Sequence, residues 1–133
     1  MKNHWETVTD EKTAFERCGL DFDKLPSFEG SPEWYKKRDK ADFVLAVGAR
    51  AINTDENGKV WQPDWTDGKP KWALRVWIAG TKDKPSGGRF VDADFDCWDS
   101  DSDVGSLLVF PTIEQLEHFY KTFKAYHEDW HLN

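Results

Sequence analysis

Apolar residues recur at intervals of three and four along the first part of the chain and again near its end, and at intervals of two in between. Helical and pleated segments bury one face at these two different periods, so the pattern divides the chain into helices flanking strands. Residues 10–18 predict a short first helix. Thr9 stands as its N-cap, Asp10 and Glu11 occupy the first turn, and Gly19 supplies the stop. Ala14, Phe15 and Cys18 form its inward stripe. So short a helix is marginal in water and depends on tertiary contacts. Residues 1–8 read as a loose lead-in, and Leu20, Phe22 and Leu25 as apolar pins of an extended linker.

A stronger start follows at Ser31-Pro32-Glu33, with a serine N-cap, proline at N1 and an acid behind it. The predicted helix runs to Ile52. Ala41, Val44, Leu45, Ala49 and Ile52 keep helical spacing, and Phe43, Ala46 and Val47 widen the stripe, as expected of a central helix. Gly48 costs this helix about 1 kcal/mol relative to alanine, which close approach of a neighbouring element would explain. Residues 53–70 form a long connection with turn signals at Asn57-Gly58 and Asp67-Gly68, and Trp61 and Trp65 are placed to pin it.

The period then falls to two. Over 71–79, Trp72, Leu74, Val76 and Ile78 take one face, and Ala73, Arg75 and Trp77 the other. After a turn at 83–88, Val91, Ala93, Phe95 and Cys97 face inward, and Asp92, Asp94 and Asp96 outward. Arg75 then lies across from one of these aspartates. Residues 106–110 supply a third short strand. Thr112 and Gln115 form a capping box for the last helix, whose stripe is Ile113, Leu116, Phe119, Tyr120, Phe123, Tyr126 and Trp130. The expected fold is α+β: a three-stranded antiparallel meander packed on one face by helices, in the order α-α-β-β-β-α.

The chain has 133 residues, one domain's worth, and its 8 Trp, 9 Phe and 3 Tyr argue for a packed core despite 32% charged residues. The net charge of −7, without any basic cluster, speaks against direct binding to nucleic acid or to an anionic membrane. No signal peptide or membrane span is visible, so the expected location is the cytoplasm. Cys18 and Cys97 accordingly read as reduced thiols.

Three features carry candidate chemistry. His127-Glu128-Asp129-Trp130-His131 reads as the H-E-x-x-H of zinc hydrolases. It lies at the end of the chain with no third ligand after it, and a solvated helix end is the competing reading. Asp99, Asp101 and Asp103 imitate the first positions of a calcium loop, but position 12 is Phe110 instead of glutamate. With Asp92, Asp94 and Asp96 they put six aspartates into twelve residues. Such a stripe fits a solvated sheet face, a contact surface, or an imitation of a phosphate backbone. Third, Trp77, Phe90 and Trp98 share the outer sheet face with those aspartates, as an apolar patch with an acidic rim. No phosphate loop and no nucleophile motif is present, and no cofactor is expected.

Leu20-Asp-Phe-Asp-Lys-Leu-Pro26, the apolar helix ending near Ile52, Trp61-Gln-Pro-Asp-Trp65, Lys71-Trp72, Cys97-Trp98 and Val104-Gly-Ser-Leu-Leu-Val-Phe110 stand in an order that resembles small uncharacterised proteins of phages and prophages of gut Bacteroidetes. The resemblance spans about residues 13–126 and implies a phage-borne accessory protein inside the bacterial cell, with no catalytic residue to transfer. Where the family pattern commonly has a basic residue after Val-Gly-Ser, Leu107 stands here, which leaves this sheet face more apolar and acidic. The expected function is therefore non-enzymatic: contact with a host or phage protein through Trp77, Phe90, Asp92, Asp94, Asp96, Trp98, Asp99, Asp101 and Asp103. An acidic mimic that blocks a nucleic-acid-binding host protein and a zinc hydrolase using His127, Glu128 and His131 remain as alternatives.

Overall fold

The computed structural model describes residues 3–79, 81–83, 89–98 and 108–132, with side chains for all of these except 76–79, 89–94, 96, 98, 131 and 132. Its elements are α1 (Glu11–Arg17), α2 (Glu33–Ile52), β1 (Lys71–Ala79), β2 (Arg89–Trp98), α3 (Ile113–Thr122) and α4 (Lys124–Leu132), with 3-10 turns at His4–Thr7 and Phe22–Lys24. Helix is the predominant regular structure among the described residues.

α2 forms the centre. Val44, Leu45, Ala49, Ala51 and Ile52 are buried in one cluster with Val8, Phe15, Phe110, Leu116, Phe119 and Phe123, which come from the N-terminal segment, α1, the bridge at residue 110, α3 and the turn after it. The helix ends where the apolar spacing predicts it, at Ile52. Its start differs slightly: Pro32 is the N-cap, and the Ser31 hydroxyl bonds to Asp39 instead of capping. Gly48 faces the Phe123 ring so closely that a Cβ there would come within 2.8 Å of Cε2. The close approach that justifies a glycine in mid-helix is therefore between α2 and the chain between α3 and α4.

Asp10, one residue after the expected cap, closes the start of α1 by accepting the Thr13 N–H at 2.8 Å. The segment before α1 is not a loose lead-in. Val8 is fully buried, its carbonyl accepts from the His118 ring at 2.6 Å, and Arg17 donates to the His4 carbonyl at 3.1 Å. These contacts join the N-terminus to α1 and α3. The single final helix expected from the aromatic stripe is instead two helices. Thr112 caps α3 as the capping box predicts, but the chain turns at Phe123, so that this ring meets Gly48 while α4 packs along α2. Lys37 to Asp129 at 3.3 Å and Arg38 over the Trp130 ring at 4.9 Å hold the α2–α4 seam at its surface. Being largely exposed, the ion pair contributes well under about 1 kcal/mol.

The expected three-stranded meander is not the fold. The sheet has two antiparallel strands, β1 and β2, and residue 110 makes only an isolated bridge, Phe110 with Trp72, at 2.8 and 2.9 Å. The ladder stops there for covalent reasons. The next hydrogen-bonded pair would join residue 112 to residue 70, and Pro70 has no N–H to give, while Pro111 follows the bridge directly. On the other side Leu108 lies in a turn, and the rest of the expected strand falls outside the described residues. The outcome is a helical body with one hairpin against it. Trp72, Leu74 and Phe95 pack onto the core, with Phe95 meeting Tyr120 edge-on at 6.3 Å.

Candidate functional site

The hairpin register decides which sequence-derived candidates come together. β1 and β2 pair Leu74 with Phe95, Arg75 with Asp94, Val76 with Ala93 and Trp77 with Asp92. Directly opposed residues share a sheet face, so Ala73, Arg75 and Trp77 form one row with Asp96, Asp94 and Asp92, and Trp72, Leu74 and Val76 form the other. The two rows are those the alternation predicts, and Asp94 is the aspartate across from Arg75.

The register also corrects two expectations. Between Trp77 and Ile78 it slips by one residue, so that Val91 is passed over and Phe90 pairs with Ile78. A bulge of this kind transfers everything beyond it to the opposite row, which takes Phe90 out of the aspartate row. The aspartate face is also not open along its whole length. Trp98 pairs with Lys71 at one end, where Lys71 and Ala73 are only 1% and 2% exposed. The preceding connection covers that end: the Lys71 ammonium donates to Asp67 at 2.6 Å and stands 5.4 Å from the centre of the Trp65 ring. Lys71 and the N–H of Lys69 hold the Asp67 carboxyl below the usual carboxylate range. Trp65 pins the connection as expected, and in doing so closes the Lys71 end. Arg75, the next residue of this row on β1, is exposed. Asp99, Asp101 and Asp103 lie outside the described residues, as do the side chains of Trp77, Phe90, Asp92, Asp94, Asp96 and Trp98.

The H-E-x-x-H segment is not the solvated helix end expected of it. His127 is 2% exposed and lies edge-on to Phe119 at 4.8 Å, with Tyr120 at 5.5 Å. It is spent in aromatic packing, and the half-buried Trp130 beside it covers the α2 seam. The side chain of His131 is outside the described set, and Glu128 is half-buried. Among the described residues no three His, Cys, Asp or Glu side chains come together as a metal-binding group. Cys18 and Cys97 are not joined in a disulfide; the first is half-buried and the second exposed. Cys97, expected to face inward, pairs with Trp72 in the inward row but is itself exposed. Burial pushes the Cys18 thiol up, against the opposing pull of Arg50 and Arg17, so it is not an activated nucleophile.

A second location escaped the sequence pattern. Where α2 ends, residues 53–61 fold back on themselves. Thr54 bridges Val60, Asp55 accepts the N–H groups of Asn57 and Lys59 at 2.9 Å each, and Gly58 takes the left-handed conformation the turn requires. This small hairpin separates two clefts of about 490 and 480 Å³, both lined by Asn53 and Trp61. The first adds Trp5, Glu56 and Gln115; the second adds Cys18, Phe43 and Arg50. The sequence signalled only that Trp61 pins the connection. Trp5 lines the same cleft from more than fifty residues away in the chain, which has no local signature.

No family model matches the chain, and neither a curated protein nor a solved structure matches it. Among the described residues no helix is long and apolar enough to cross a membrane.

Proposed function

We propose that the protein is a non-enzymatic phage or prophage accessory protein, acting in the bacterial cytoplasm by contact with a host or phage protein. The contact surface is the aspartate row of the hairpin from Arg75 onward: Arg75 and Trp77 on β1 with Asp94 and Asp92 on β2, and Asp96 at its border with the covered end. One observation carries this reading. The register sets three acidic residues at alternate positions on the row opposite to Trp72, Leu74 and Phe95, which pack on the helices. An aromatic residue beside an acidic rim suits a protein interface, where ring burial contributes affinity and charge selects the partner. The phage setting rests on the resemblance of residues 13–126 alone.

The test is affinity capture from host lysate with wild type, Trp77→Ala and the triple Asp92/Asp94/Asp96→Asn variant. A specific partner lost from both variants supports the surface, and equal capture by all three overturns it. A second reading keeps the surface and changes the partner. Carboxylates two residues apart on a strand are spaced by about 7 Å, and such a row can occupy a basic protein that otherwise holds nucleic acid. Capture that weakens steeply between low and physiological salt, together with competition by duplex DNA or RNA, distinguishes it.

A further inference from the structure

We propose that the cleft lined by Cys18, Phe43, Arg50 and Trp61 binds a small aryl-substituted carboxylate, with Arg50 as the partner of the anion and the apolar wall as the seat of the ring.

Three pieces of chain form this cleft, and each is fixed to α2. Helix α1 stops at Gly19, in the left-handed conformation, and Leu20 follows at the cleft. The Cys18 thiol donates to the Val47 carbonyl at 3.6 Å and ties this end to α2. On the far side the Trp61 N–H donates to the Asn53 carbonyl at 2.7 Å, and Thr54 bridges Val60. The walls are thus held in place without a ligand, which lowers the ordering cost of binding. The volume of about 480 Å³ lies in the range of small-molecule sites. Leu20, Phe43, Val47, Val60 and Trp61 make the wall largely apolar. Leu20 is 45% exposed, one of two large apolar side chains left so open among the described residues. A ligand lying over it removes that surface from water. Phe43 and Trp61 are half-buried rings, which suit an aromatic body.

Charge selects the polar end. Among the described residues Arg50 is the single charged side chain of this lining. It is exposed, so an ion from solvent reaches it, and its guanidinium has no ion-pair partner among the described residues. Its charge also pulls on the Cys18 thiol, more strongly than that of Arg17 does, which brings the guanidinium to the cleft. The planar fork of a guanidinium matches the two oxygens of a carboxylate. The C-terminal end of α2 opposes an anion with roughly half a negative charge. Its carbonyls are already spent, however. Those of Ala49 and Ala51 accept the N–H groups of Asn53 and Thr54, at 3.0 and 3.2 Å, and that of Arg50 accepts the Thr54 hydroxyl at 2.6 Å. The full charge of Arg50 therefore prevails. Asp55 and Glu56 line the other cleft, which directs an anion to this one. The inference is independent of the hairpin surface: the cleft can bind while the aspartate row does not, and the reverse.

The experiment is a titration of the 15N-labelled protein at pH 7. It follows the Trp61 indole and the backbone amides of Leu20 and Ala46, with the Trp5 indole reporting the other cleft. The probes are 4-phenylbutyrate, 4-phenylbutan-1-ol as its neutral counterpart, and 4-phenylbutylammonium as its cationic one. The proposal expects saturable shifts at Leu20, Ala46 and Trp61 with 4-phenylbutyrate at millimolar concentration or below, and binding at least about tenfold weaker for the other two. Arg50→Gln changes an exposed side chain, and its fold is checked by an unchanged spectrum away from the cleft. It should bind 4-phenylbutyrate several-fold more weakly and the alcohol as wild type does. Leu20→Ala, equally exposed, should weaken both. Absence of a saturable shift overturns the proposal, as does an equal response to all three probes. Shifts centred on Trp5, or 4-phenylbutyrate binding to Arg50→Gln as tight as to wild type, overturn it too.

Discussion

Replacing Gly48 by alanine sets two well-measured effects against each other. In an open helix the change stabilises by about 1 kcal/mol, because alanine has less backbone freedom to lose. Here the new methyl would stand 2.8 Å from Phe123 Cε2 and 2.9 Å from Cζ, and Phe123 is itself only 1% exposed. A buried ring has little room to retreat, and overpacking of this kind costs about 1–3 kcal/mol. The overpacking term wins, for a net loss of about 1 kcal/mol. The same substitution in a Phe123→Leu background changes sign, because leucine lacks the two ring atoms that come closest. Gly48→Ala there should stabilise by up to about 1 kcal/mol, which makes the coupling between the sites about 2 kcal/mol. Urea unfolding of the four proteins of the cycle measures this directly. If Gly48→Ala raises stability equally in both backgrounds, the close contact of α2 with Phe123 is absent.

Phe119→Ala should cost about 3–5 kcal/mol, since that ring is buried among Phe110, Phe123 and His127; a near-neutral melting shift would remove α3 from the core. Asp10→Ala should cost about 1 kcal/mol through the lost cap. The Thr13 hydroxyl and N–H hold the Asp10 carboxyl below its ordinary value, so its contribution is present above the unfolded carboxylate pKa and lost as pH falls through the lower folded one. Stability of wild type and variant should therefore converge in acid, and a gap that persists to the lowest pH would contradict the cap. With a thiol reagent at pH 8, Cys97 should react well before Cys18, whose thiol burial pushes up; equal rates by mass spectrometry would contradict the placement of Cys18.

Legibility in the sequence followed the range of the interaction responsible. The start and end of α2 and the limits of β1 depend on neighbours within a few residues, and caps and period give them to within a residue or two. The break at Phe123 is invisible locally, because the three-and-four spacing of aromatics runs straight through it. At the break the Phe123 ring lies against Gly48, which the pattern flagged as needing a close neighbour without saying which one. The anchored N-terminus depends on His118 reaching Val8, a contact across most of the chain, so polar composition alone made residues 1–8 look loose. The third strand was a misreading of a short apolar run: Val109 and Phe110 are buried, but beside prolines that end the ladder. For the candidate surface, alternation gave the two rows of the hairpin, and the bulge that moves Phe90 left no mark in the sequence.

The aspartate row stands or falls with the β1–β2 register, and nuclear Overhauser contacts between α-protons read that register without reference to any partner. Trp72 spends its N–H and C=O on Phe110, so Trp72, Leu74 and Val76 occupy the non-hydrogen-bonded positions toward β2, where opposed α-carbons lie only about 4.5 Å apart. Strong α-proton contacts are expected for Leu74 with Phe95 and Val76 with Ala93. Contacts of Leu74 with Asp94 or Asp96 instead would mean a one-residue slip, with the carboxylates turned toward the helices and no acidic surface to offer.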